Sequence, residues 1–76
     1  MSHDYEPIAC SLHDEYEIAI MQNRCLNIKW LDDNAEIHTA EVRPRDILVK
    51  NREEYLLADS EDGQQLYIRL DKITLL

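Results

Sequence analysis

Glycine is almost missing from this chain: Gly63 is the only one in 76 residues. That leaves no Gly-rich loop able to cradle phosphates on bare backbone, and neither a GxSxG nor an HExxH pattern occurs. Long apolar runs are missing too. None approaches the ~20 residues needed to cross a bilayer. The opening Met1-Ser2-His3-Asp4-Tyr5-Glu6 has neither the basic nor the apolar part of a secretory signal, so a cytoplasmic protein without membrane contact is expected. There are only two cysteines, Cys10 and Cys25, and their spacing does not ask for a disulfide. In a reducing compartment they are expected to be buried thiols packing as small hydrophobes, with no basic neighbour to make either reactive.

Positive charge is withheld from the front of the chain. Asp4, Glu6, Asp14, Glu15 and Glu17 all precede Arg24, the first of eight basic residues. With 16 acids the formal net charge is -8. A chain so charged repels free nucleic acid, and direct binding to it is not expected. The natural target is a basic patch on another protein, including one that ordinarily holds nucleic acid. Acids this abundant form acid–base pairs by chance, and no nucleophile has a base beside it. No catalytic residue is assigned, no cofactor is implied and an enzyme is not expected.

What is present is enough apolar residue, 45%, to build a core. The length suits one domain over residues 1–76, which buries roughly 60% of its unfolded surface and is modestly stable. Residues 1–10 read as an extended arm, because Pro7 restricts Glu6 and removes a donor. Residues 11–23 read as a helix, with Ser11 as N-cap, Asp14 in a weak capping box and Asn23 as left-handed terminator. At ~100° per residue, Leu12, Tyr16, Ala19 and Ile20 form its apolar stripe, and Asp14, Glu17, Ile18 and Met21 fall opposite. Residues 25–76 alternate with the period of strands, over 26–30, 36–42, 54–58, 65–70 and 73–76. Asp32-Asp33-Asn34 and Glu61-Asp62-Gly63 mark turns, and Pro44 should break the second strand. The segment 45–49 is left as a connector or short strand. The fold class is α+β, mainly β: an N-terminal helix packed on a small, strongly bent antiparallel barrel.

Two regions carry the expectation of a partner-binding site. Asp14, Glu15 and Glu17 with Ile18 and Met21 interleave acid and exposed apolar residues, as protein-binding surfaces do. The competing reading is structural: Asp14 and Glu15 favour the first turn of a helix, and Ile18 and Met21 tuck under the arm near Tyr5 and Ile8. Lys50, Asn51 and Arg52 form a small basic tip, either a solvated loop or a second contact point. Tyr67 and Arg69 belong to an exposed strand face. Cys10-x-x-His13 with Cys25 and His38 could be drawn as a zinc set, but the second pair lies on different strands without a tight knuckle, so no metal site is assigned.

The stretch Tyr5-x-Pro7-Ile8-x-Cys10, then Asp14-x-x-Glu17-x-Ala19, resembles the opening of the Rof (YaeO) family, inhibitors of Rho-dependent transcription termination. Glu54-Tyr55-Leu56 and Ile68-Arg69-Leu70-Asp71-Lys72-Ile73-Thr74 match its far end, so the resemblance spans nearly the whole chain. It implies an N-terminal helix on a barrel similar to the Sm fold. It also implies binding to the N-terminal OB-fold region of Rho, over the site that takes up nascent RNA, through the helix acids and the loop holding Lys50, Asn51 and Arg52. Asp33-Asn34 stands where the family has Asp-Gly, and Ser11-Leu12 where some relatives have further acids. Two alternatives stand beside it: an Sm-like RNA binder, which should be basic and carry ring-forming glycines, and an acidic mimic of nucleic acid aimed at another basic protein. The acidity disfavours self-association through the helix, so a monomer is expected.

Overall fold

The computed structural model describes residues 8–76. The expected arm, with Tyr5, Glu6 and Pro7, otherwise lies outside the described residues; Ile8 is half-buried against the core. Helix α1 spans Cys10–Met21. It begins earlier than the sequence suggests: Ala9 is the N-cap, its carbonyl accepting from Leu12 and His13 N–H at 3.0 Å, and Ser11 already sits inside the first turn. Asp14 and Glu15 are therefore displaced from that turn, which holds no acid. Their place owes nothing to the helix dipole, which acts over the first turn. The far end behaves as expected. Asn23 takes φ 54, Asn23 N–H donates to Ile20 O and Arg24 N–H to Ala19 O, the paired bonds of a Schellman stop.

Five antiparallel strands follow: β1 Leu26–Leu31, β2 Ile37–Lys50, β3 Glu53–Ser60, β4 Gln65–Arg69 and β5 Ile73–Leu75. Their order across the sheet is β4-β3-β2-β1-β5. A single 3-10 turn, Leu70–Lys72, carries the chain from β4 at one edge to β5 at the other. So short a link between the two edges requires a strongly curled sheet. No ladder joins β4 to β5 among the described residues, so the sheet is an open curl and not a closed barrel.

Pro44 does not end the second strand. β2 runs through it for 14 residues, and the register slips between Pro44 and Asp46, leaving Arg45 as a bulge. The strand pairs with β1 up to Val42 and with β3 from Val42 onward, so Pro44 lies beyond its last β1 partner. There the missing N–H costs no rung on that side. The segment 45–49 is the second half of this strand.

The core gathers Tyr16, Ile28, Val42, Leu56, Ala58, Ile68, Leu70 and Ile73, with Leu12 and Ile20 packed against it. The helical stripe and the period-2 positions of the strands thus meet in one cluster. None of the described helices is long and apolar enough to cross a membrane.

Candidate protein-binding surface

The bulge decides what faces the helix. Val42 and Pro44 point inward and are buried. Were Arg45 paired in regular alternation, the next inward positions would be Asp46 and Leu48; with Arg45 bulged out of step they become Ile47 and Val49. The inward side of β2 therefore ends in two branched apolar side chains beside the outer turns of α1.

A groove of ≈ 660 Å³ opens there. Asp14, Glu17, Ile18, Ile20 and Met21 line it from the helix; Asp46, Ile47 and Val49 line it from β2, and Glu54 from β3. Its apolar residues are open to solvent, with Met21 75% and Val49 70% exposed. His13 bridges the two walls: its Nε2 is 3.2 Å from Glu54 Oε2, and its Nδ1 is 3.8 Å from Glu17 Oε1. Neither Lys nor Arg lines the groove among the described residues. Of the helix residues expected to bind a partner, Asp14, Glu17, Ile18 and Met21 come together here. Glu15 is exposed outside it.

Lys50, Asn51 and Arg52 form the tip of the β2–β3 hairpin, closed by the Lys50–Glu53 pair. Asn51 and Arg52 take φ 53 and 64, a two-residue turn with both central residues left-handed. Because side chains alternate, Val49 faces the groove, whereas Lys50 and Asn51 line a separate hollow with Leu48, Tyr55 and Tyr67. The tip adjoins the groove but opens on the other face of the hairpin.

A family model described as modulator of Rho-dependent transcription termination (ROF) matches residues 7–76. The chain belongs to the ROF family. No curated protein matches it. The ROF family is one of regulators acting on Rho-dependent termination.

Other features of this ROF member are accounted for within the molecule. A cleft of ≈ 580 Å³ near the open seam is lined by Trp30, Asp33, Tyr55, Tyr67, Arg69 and Lys72, among others. Its polar groups are largely engaged: Arg69 donates to Asp71 at 3.0 and 2.7 Å, and Tyr55 donates to Glu53 at 2.7 Å, a bond that pushes the Tyr55 hydroxyl pKa up. Trp30 stacks on His38, its cross-strand partner, with ring centroids 5.3 Å apart. His38 Nε2 lies 2.6 Å from Asp32 Oδ2; with backbone bonds from Glu36 and Asn34, this holds the Asp32 carboxyl below its ordinary range.

The cysteines correct the sequence reading. Cys10 and Cys25 are both exposed free thiols, because one starts the helix and the other follows its exit, away from the packed stripe. The groups whose ligand atoms converge, His13-Asp14-Glu17 and Asp32-Glu36-His38, contain no cysteine and divide the two histidines between them. The residues sequence reasoning missed are Asp46, Ile47, Val49 and Glu54. Only the apolar surplus of Ile47-Leu48-Val49 signalled that this was no free loop.

Proposed function

We propose that the chain binds the N-terminal OB-fold region of Rho over its RNA-uptake site and blocks RNA loading, so that termination is suppressed by competition. It acts as a cytoplasmic single-domain monomer, and its contacts are Asp14, Glu15, Glu17, Ile18, Met21, Lys50, Asn51 and Arg52. One observation supports this above others: an acid-walled groove with an exposed apolar floor and neither Lys nor Arg lining it among the described residues. A surface that holds phosphates must be basic, and fixed carboxylates can make charge-assisted bonds to the same Arg and Lys side chains. Family membership supports Rho as the partner.

The test is displacement of labelled C-rich RNA from Rho. The wild-type chain is expected to displace it. Asp14→Lys, at the groove, should displace it far less well than Glu61→Lys, in the exposed β3–β4 turn. Equal losses would reduce the effect to net charge. Retention of labelled RNA by this chain alone, without Rho, would favour the Sm-like RNA binder instead.

A further inference from the structure

The helix wall of the groove is only half of a matched pair. Asp14 and Glu17 stand on α1, and Asp46 and Glu54 stand opposite on β2 and β3. Between them Ile18, Met21 and Val49 present apolar surface to water. A wholly apolar occupant would strip water from the carboxylates without replacing it. A purely ionic occupant would leave the apolar floor wet. A side chain with an aliphatic stem and a cationic head satisfies both demands.

Resting on the Rho-binding reading, we infer that the strand side of this groove, Asp46 and Val49, is part of the docking surface and receives an arginine or lysine side chain of Rho. The stem lies across Met21, Ile18 and Val49, and the head sits between Asp14 on the helix and Asp46 on β2. The complementarity is of charge as well as shape, since neither Lys nor Arg lines the groove among the described residues, and His13 is set against Glu17 and Glu54. The Arg45 bulge is the device that builds it, because it turns Val49 toward the helix.

Two conservative variants test this in the full-length chain. Val49→Thr keeps a branched strand residue of similar size at an exposed position and removes apolar character. Asp46→Asn keeps the Oδ1 that accepts from Ile47 N–H at 2.8 Å and removes the charge. Both should melt like the wild type. In titrations against Rho, each is expected to weaken binding by about three- to tenfold. Asp46→Asn should also flatten the dependence on salt, whereas Val49→Thr should leave it unchanged. If Asp14→Lys loses binding while both variants bind like the wild type, the strand wall is not part of the contact, and the Rho-binding reading survives. If the wild-type chain fails to bind Rho, that reading falls and this inference falls with it.

Discussion

Arg52 holds a backbone conformation that suits glycine. At φ 64 in a two-residue hairpin turn, where Gly is favoured after Asn51, a side chain is strained. Such strain tends to persist where a side chain is used. Arg52→Gly is therefore expected to raise stability by about 0.5–1 kcal/mol in urea unfolding while weakening Rho binding. A gain in stability with undiminished binding would remove Arg52 from the contact surface. Tyr16 shows the opposite economy. It is fully buried, its hydroxyl has no hydrogen-bond partner among the described residues, and burial pushes its pKa up to about 12. Tyr16→Phe removes an unsatisfied polar atom, so at neutral pH it should be neutral or stabilising by about 1 kcal/mol. The folded pKa lies above the unfolded value, so the contribution is intact below about pH 10 and is lost as pH rises toward 12. Over that window the wild type should lose stability faster than Tyr16→Phe. Parallel unfolding midpoints from neutral pH to pH 11 would show that the hydroxyl does not ionise on unfolding.

At the scale of elements, the bulge in β2 is the feature on which the groove depends. Inserting one residue between Leu57 and Ala58, opposite Arg45, would let Arg45 pair and restore plain alternation, turning Asp46 and Leu48 inward and Ile47 and Val49 outward. The variant should lose at least about 2 kcal/mol, from displaced apolar packing and a carboxylate forced inward. Urea unfolding measures the loss, and an unchanged midpoint would mean that β2 re-forms its register elsewhere. The same feature marks where sequence reasoning stops. The helix was legible because Leu12, Tyr16, Ala19 and Ile20 repeat at its period, and the strands because Leu26, Ile28 and Trp30, or Leu66 and Ile68, repeat at theirs. Gly63 at φ 88 and Asn23 at φ 54 sit where local chemistry placed them. Pro44 misled because its cost depends on which neighbour needs its N–H, a property of the assembled sheet. Ser11 misled because a good capping residue lost to a frame set by tertiary packing. The helix half of the groove could be read from spacing. Its strand half could not, since a bulge in one strand sets which of two alternating side chains meets the helix.

For the whole molecule, charge acts at two ranges. In the proposed complex, the net charge of -8 would steer the chain toward a basic surface of Rho before contact, and ordinary salt would screen that steering over about 8–10 Å. Groove carboxylates would act after contact in that complex, where water is excluded and screening is weaker. Glu15 and Asp14 are neighbours in sequence but separate these roles, since only Asp14 lines the groove. Glu15→Gln should slow association with Rho by no more than about threefold at low salt, and the difference should vanish as salt rises. Asp14→Asn should instead speed dissociation, and do so at every salt concentration. Stopped-flow association and surface-bound dissociation measurements separate the two. If both substitutions change only the association rate, in parallel and only at low salt, neither carboxylate is held in a dry contact, and the acidic groove guides the encounter without forming the bond.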